Sequence, residues 1–180
     1  SFIFSNTAVE VLDLTSAIRF IAPSLAKDAS QLREVIIDGG AQSILIGAIY
    51  REAFMNCVAL ESFVVPDTVR VVNSSVFEGC IALESVTLPT NASYIVLDTN
   101  LFKGCVSLTA VIIPASIQAI KDRAFENCTS LTAITIPSSV VAMAANVFNG
   151  CDNSLQITVM TRNNNTANWN SQWLGTSGLT

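Results

Sequence analysis

The chain repeats one short pattern from near its start almost to its end, and this repeat restricts the fold more than any other feature. Five phenylalanines recur at nearly equal spacing: Phe54, Phe77, Phe102, Phe125 and Phe148. A cysteine follows each of them at the third position: Cys57, Cys80, Cys105, Cys128 and Cys151. A leucine comes three places after each of the first four cysteines, and then an alternating triplet that ends in proline, at 63–66, 86–89, 111–114 and 134–137. A period of roughly 23 residues is typical of solenoids, in which each unit packs against its neighbours.

The same frame continues towards the N-terminus in a weaker form. One unit is predicted at Ala26, Ala29, Leu32, Val35 and Ile37, and a first unit at Ile3, Asn6, Val9, Leu12 and Leu14. A short insertion around 39–47 separates Ala26 from the next unit, whose first residue is Phe54. About seven units are therefore present, with degenerate end units, as expected where a unit has only one neighbour.

Each unit predicts a short strand followed by a return path. In the triplet Ile134-Thr135-Ile136 the isoleucines point to one side and Thr135 to the other, as in a strand. The proline that follows tends to end the strand. Val140 and Met143 then supply a second inward pair, and a tight turn or single helical turn leads to the next Phe. Stacking such units about 4.8 Å apart as parallel strands buries all the equivalent positions together.

Composition indicates one continuous folded body. Apolar residues make up 51% of the chain and charged residues 13%, and no linker divides it. We expect a solenoid over residues 1–162 and a cap or tail over 163–180. The longest apolar stretches fall far short of the roughly 20 residues that span a bilayer, so no membrane insertion is expected.

Charge and the absence of histidine exclude several functions. The net charge is -5 and the bases are scattered, which disfavours nucleic acid as a partner. Without histidine, the Ser-His-Asp and Cys-His arrangements and most zinc sites are absent. We therefore expect no catalytic residue, no metal and no cofactor. The chain begins at Ser1 without a targeting signal, and we expect it to be a piece of a longer precursor.

The pattern F-x-x-C-x-x-L-x-x-I-x-I-P-x-x-V-x-x-I, seen at 102–120 and 125–143, closely resembles the BspA-like leucine-rich repeat. The resemblance covers residues 1 to about 160. It implies an α/β-class, β-dominated, right-handed solenoid with a parallel sheet on its concave face. It also implies a secreted or cell-surface protein that binds other proteins, often in adhesion. Three departures are Ala29 and Asn6 at cysteine positions, a long unit at 77–102, and residues 161–180, which leave the repeat.

The outward face of the predicted sheet carries the candidate binding residues. The mid-strand positions are Asp13, Ile36, Val64, Thr87, Ile112, Thr135 and Thr158, and the flank includes Glu61 and Glu84. Three of the mid-strand residues are apolar where a solvated strand usually carries polar groups, which often marks a partner site. Alternatively, β-branched residues suit strands in any case, and single exposed ones mean little. The partner expected is another protein, such as a host or extracellular-matrix protein.

The cysteines and the two glutamates each have a chemical and a structural interpretation. A catalytic thiol needs a lowered pKa and access, whereas five cysteines in one column flanked by Phe and Leu predict free, buried thiols. The Cβ atoms of stacked cysteines would also lie about 4.8 Å apart, whereas a disulfide prefers a Cβ–Cβ distance of about 3.8 Å. Glu61 and Glu84, in neighbouring units, could serve glycoside hydrolysis or bind calcium. Two glutamates on an open face are more often simply solvated.

Two further interpretations of the whole chain are compatible with the repeat. A carbohydrate-active parallel β-helix has coils of similar length, and would show three long sheets per coil with a polar groove. A structural spacer would instead present a neighbouring domain. In the tail, Trp169 and Trp173 could lie on one helical face and cap the last coil, or form a sugar-binding platform.

Overall fold

A computed structural model describes residues 4, 7–14, 19–37, 46–160 and 168–175. Within these residues, fourteen short strands alternate between two parallel sheets that lie on either side of one apolar core. The first sheet contains Val11–Asp13 (β1), Glu34–Ile36 (β3), Ser62–Val64 (β5), Ser85–Thr87 (β7), Ala110–Val111 (β9), Ala133–Ile136 (β11) and Gln156–Val159 (β13). The second contains Phe20–Ile21 (β2), Ala48–Ile49 (β4), Val71–Val72 (β6), Val96–Leu97 (β8), Ala119–Ile120 (β10), Ala142–Met143 (β12) and Asn168–Trp169 (β14).

The first sheet is formed by the predicted triplets. Ser62 pairs with Ser85, and Ser85 with Ala110, so equivalent residues of successive units lie side by side. The same register joins β1 to β3 and β11 to β13. Ladder pairing is interrupted between β3 and β5 and between β9 and β11, where the strands still lie next to each other.

The second sheet is formed by the return path after each proline. The N–H of Val140 donates to the carbonyl oxygen of Pro137 at 3.0 Å, which closes a turn ahead of β12. Ile49 pairs with Val72, and Leu97 pairs with Ile120, so the second inward residue of each unit also stacks. Ladder pairing in this sheet is interrupted between β6 and β8, which still lie next to each other. Each coil thus contributes two short strands, not the three long strands expected of a parallel β-helix.

A compact turn carries the chain from the second sheet back to the first. It requires a left-handed backbone two places before and two places after the Phe position. Asn100 (φ 57°) and Gly104 (φ 74°) flank Phe102 in this way, and Arg123 and Asn127 flank Phe125. Asn and Gly tolerate this conformation best. The described residues contain no helix, so the return is a turn rather than a helical turn, and the solenoid is β-dominated as expected.

The core consists of stacked columns of identical side chains. Phe54, Phe77, Phe102, Phe125 and Phe148 are fully buried, with neighbouring ring centroids 5.4–6.0 Å apart and rings close to parallel. In the degenerate second unit Ala26, Ala29 and Leu32 are fully buried in the Phe, Cys and Leu positions. The predicted register of this unit is therefore confirmed.

The strand of the first unit keeps its predicted register, because Leu12 pairs with Val35, but the turn of this unit differs from it. The N–H of Phe4 donates to the carbonyl oxygen of Leu25, as the N–H of Ala26 does to Ala53, so Phe4 takes the Phe position that was predicted for Ile3. The hydroxyl of Thr7 donates to the carbonyl oxygen of Phe4 at 2.7 Å. Thr7 therefore lies in the cysteine position that was predicted for Asn6. Ile3 and Asn6 themselves lie outside the described residues.

The two tryptophans of the tail lie on a strand and a turn, so the predicted helical face is wrong. Trp169 pairs with Met143 at the end of the second sheet. Trp173 lies against Phe148 at the end of the aromatic column, with ring centroids 6.0 Å apart in an edge-to-face arrangement, and its ring contacts that of Trp169 at 5.4 Å. Residues 168–175 thus continue the columns of the preceding coil.

Replacing Trp173 with Ala is expected to lower the free energy of unfolding by about 2 kcal/mol, because a half-buried aromatic that covers the end of the Phe column is removed. Trp173→Phe, which restores a ring at the column position, should recover most of this loss. Urea unfolding followed by circular dichroism measures both. Equal midpoints for the Ala variant and the parent chain would contradict the capping role.

Candidate functional site

All nine candidate residues lie on the exposed surface of the first sheet or at its flank: Asp13, Ile36, Glu61, Val64, Glu84, Thr87, Ile112, Thr135 and Thr158. The ladder brings the mid-strand ones into one row. Asp13 lies beside Ile36, Val64 beside Thr87, and Thr135 beside Thr158. Alternation places their neighbours, such as Val86, in the core.

The most exposed large apolar residues of this row lie on β5 and immediately after β9. Ile112 is 85% exposed and Val64 is 65% exposed. Beside Ile112 an open groove of about 420 Å³ runs across β9 and β11, lined by aliphatic residues together with Thr135, Pro137 and Met160. Met160 was not predicted as part of the face. The available signal was its position two places after Thr158, which alternation puts on the same face.

Charge divides the row into two halves. The half formed by β1 to β7 carries Asp13 and Glu34, with Glu61 and Glu84 at its flank, whereas β9, β11 and β13 contain no charged residue. The apolar groove therefore lies at the uncharged end of the face, and the acidic residues lie at the other end.

Glu61 and Glu84 lie in neighbouring coils, as predicted. The N–H of Glu84 donates to the carbonyl oxygen of Glu61 at 2.9 Å, and Arg33 approaches the Glu61 carboxylate at 3.9 Å. Both glutamates are exposed. In the described part of the chain, no three Cys, Asp or Glu side chains come together as a metal site would require. The arrangement is that of solvated surface carboxylates.

The cysteines point into the core, and each thiol is held by the preceding coil. The Sγ–H of Cys128 donates to the carbonyl oxygen of Phe102 at 3.1 Å, and that of Cys105 to Phe77 at 3.0 Å. Burial raises the pKa of Cys151 to about 11 and that of Cys57 to about 12, and holds the pKa of the other three thiols well above the ordinary value. A nucleophilic thiol needs the opposite shift and access. These five free thiols therefore belong to the core.

No helix in the described ranges has the length and apolar character needed to cross a bilayer. Among curated proteins no sequence match is found. The sequence model of the BspA type leucine rich repeat region matches residues 47–172, in six copies.

Solved structures of bacterial leucine-rich repeat proteins are similar to this chain. A leucine rich cell surface protein from Faecalibacterium prausnitzii is 18% identical, with a TM-score of 0.55 over 89% of this chain and 62% of that one. A leucine-rich repeat protein from Eubacterium ventriosum is 21% identical, with a TM-score of 0.63 over 82% and 45%. The T. pallidum leucine rich repeat protein is 28% identical, with a TM-score of 0.60 over 67% and 55%. The chain spans about half the length of these proteins.

Proposed function

We propose that this chain, which belongs to the BspA type leucine-rich repeat family, binds another protein through the outward face of its first sheet and catalyses no reaction. The observation that carries the proposal is the exposure of Ile112 beside an apolar groove at the uncharged end of that face. Covering a large aliphatic side chain that is 85% exposed removes apolar surface from water, which favours binding of the partner.

The two ends of the face have different roles in this proposal. Ile112 and the groove supply the apolar centre of the interface, where burial of a few side chains provides most of the affinity, and Val64 on β5 adds an apolar contact within the acidic half. Glu61 and Glu84 at the acidic end select partners with basic residues and speed their encounter.

The proposed location is the cell surface or the extracellular space, and the proposed partner is a host or extracellular-matrix protein bound in adhesion. Family membership supports this location, as does the similar protein from F. prausnitzii, which is described as a cell surface protein. The exposed row of the first sheet also runs from Asp13 to Thr158 across seven neighbouring strands, which suits an extended contact.

The double variant Val64→Lys with Ile112→Glu is expected to weaken binding to the partner by about 30-fold, since truncating or charging central interface residues typically costs about 2 kcal/mol. Surface plasmon resonance of the immobilised chain against purified matrix and plasma proteins identifies the partner and measures the change. Ile81→Lys with Val106→Glu is the matched control, because both residues are exposed aliphatics outside the first sheet.

Two results would count against the proposal. If both double variants bind the partner as the parent chain does, the first sheet is not the interface. If no protein of the panel binds, the chain acts as a spacer that presents a neighbouring domain.

A further inference from the structure

Three arginines and three apolar residues are exposed in or near the neighbouring strands β2, β4 and β6 of the second sheet, on the side of the core away from the candidate binding face. We name them the arginine patch: Arg19, Phe20, Tyr50, Arg51, Arg70 and Val71. Phe20 pairs with Ala48, and Ala48 pairs with Val71. The N–H of Gly47 donates to the carbonyl oxygen of Arg19, and the N–H of Arg70 donates to that of Gly47, both at 2.9 Å. Arg19 and Arg70 thus lie on either side of Gly47 in one column.

The arginines of the patch differ from the other cations of the described chain. Lys27, Arg33, Lys103, Lys121 and Arg123 each lie within 4.0 Å of a carboxylate. Arg19, Arg51 and Arg70 are exposed and form no ion pair with any described residue. In a chain of net charge -5, three unpaired guanidinium groups on one surface are a local excess of positive charge.

Two exposed aromatic residues adjoin arginines along the chain, since Phe20 follows Arg19 and Tyr50 precedes Arg51. Phe20 is 54% exposed and Tyr50 is 39% exposed, and their ring centroids are 5.6 Å apart in an edge-to-face arrangement. Val71 extends the apolar surface on the neighbouring strand. The patch therefore offers ring faces and cationic groups to the same ligand.

An open groove of about 400 Å³ adjoins the patch at Arg70. Its lining consists of Gly47, Asp67, Thr68, Arg70, Asn91 and Ser93. The Asn91 amide donates to the carbonyl oxygens of Asp67 and Val69 at 2.9 and 2.6 Å, so the wall of the groove is held in place. A side chain at Gly47 would meet only the Arg19 carbonyl, at 3.9 Å, so the glycine leaves the space between the two arginines open.

We infer that the arginine patch and its groove bind an anionic saccharide. Guanidinium groups form paired hydrogen bonds with sulfate or carboxylate groups. The exposed rings of Phe20 and Tyr50 cover the apolar face of a sugar ring. In the groove the Thr68 hydroxyl donates to the Ile46 carbonyl and Asp67 accepts from Thr90, so both keep lone pairs that can accept hydrogen bonds from sugar hydroxyls. An acidic peptide would also meet the arginines, but a groove lined by Asp67, Thr68 and Ser93 suits a hydroxyl-rich ligand better.

Binding of dextran sulfate, measured by isothermal titration calorimetry, tests the inference. The triple variant Arg19→Gln/Arg51→Gln/Arg70→Gln is expected to bind at least about tenfold more weakly than the parent chain, because charge-assisted contacts are lost. The control Arg33→Gln/Lys121→Gln/Arg123→Gln removes the same charge elsewhere and should retain the affinity. Phe20→Ser/Tyr50→Ser should also bind about tenfold more weakly, through lost ring contacts. Melting curves verify that each variant is folded.

Uncharged dextran and polyglutamate complete the experiment. Weak binding of both, relative to dextran sulfate, supports a site for an anionic sugar. Polyglutamate that binds as tightly as dextran sulfate overturns the saccharide and identifies an acidic peptide as the ligand. Equal losses in the two triple variants, or no binding of dextran sulfate by the parent chain, overturn the site. None of these outcomes depends on protein binding by the first sheet.

Discussion

Raising the pH from about 8.5 to about 10.5 is expected to unfold this chain in one steep transition. The five buried thiols keep their protons in the folded state, because burial raises the pKa of each, to about 11 for Cys151 and about 12 for Cys57. In the unfolded chain a thiol has a pKa of about 8.5. The folded state therefore holds more protons above that pH. The stabilisation is complete below about pH 8.5 and is lost as the pH rises towards the folded pKa values.

The size of the effect follows from the number of thiols. Each thiol lowers the free energy of unfolding by about 1.4 kcal/mol per pH unit, so five thiols lower it by about 7 kcal/mol per unit. Native domains have only about 5–15 kcal/mol of total stability, so two pH units are enough to unfold the chain. Tyr94 is also buried with a raised pKa and adds to the loss above about pH 10.

Urea unfolding at several pH values, in the presence of a reductant, measures the slope of the unfolding free energy against pH. Cys57→Ala with Cys151→Ala removes two of the five thiols, so its slope should fall to about three fifths of the parent slope. The variant and the parent chain can differ in stability without affecting the comparison, because only the slope is used. A shallow slope in the parent chain, or the same slope in both, would show that the thiols ionise in the folded state.

Replacing Phe102 with Ala is expected to lower the free energy of unfolding by about 4 kcal/mol, through lost burial and the cavity that remains. Phe102 is fully buried in the middle of the aromatic column, 5.7 Å from Phe77 and 5.4 Å from Phe125. Each coil packs only on its neighbours, so a cavity here weakens both halves of the solenoid.

Phe20→Ala is the matched control, because Phe20 is more than half exposed on the second sheet. Its loss should stay within about 1 kcal/mol, since surface substitutions have small effects. Urea midpoints with unchanged m-values measure both variants. Similar losses for Phe102 and Phe20 would mean that the aromatic column does not dominate the core.

The repeat itself was sufficient to predict most of the fold. Phe125, Cys128, Leu131, Ile134 and Ile136 recur at one period, and such columns can be buried only by stacking. The exposed row of the first sheet followed from alternation alone, because Thr135 must point away from Ile134 and Ile136. That this row binds a protein stays a prediction.

The errors came from positions where the sequence departs from the period. The turn of the first unit lies one place later than predicted, because Phe4 rather than Ile3 continues the hydrogen bonding of Ala26. The tail predicts a helical face for Trp173, although this residue follows Phe148 at the same spacing at which Phe102 follows Phe77. A single aromatic residue without the Cys and Leu that follow it is a weak signal of the repeat.

By itself, the sequence determined the period, the buried columns and the alternation of the strands, because these depend on residues close together along the chain. Only the tertiary structure decided which distant residues meet. The thiol of Cys128 donates to Phe102 in the preceding coil, Met160 joins Ile112 at one groove, and Arg19 and Arg70 lie on either side of Gly47 in one column. These contacts depend on the lateral register between coils, which brings residues from different repeats within reach of each other.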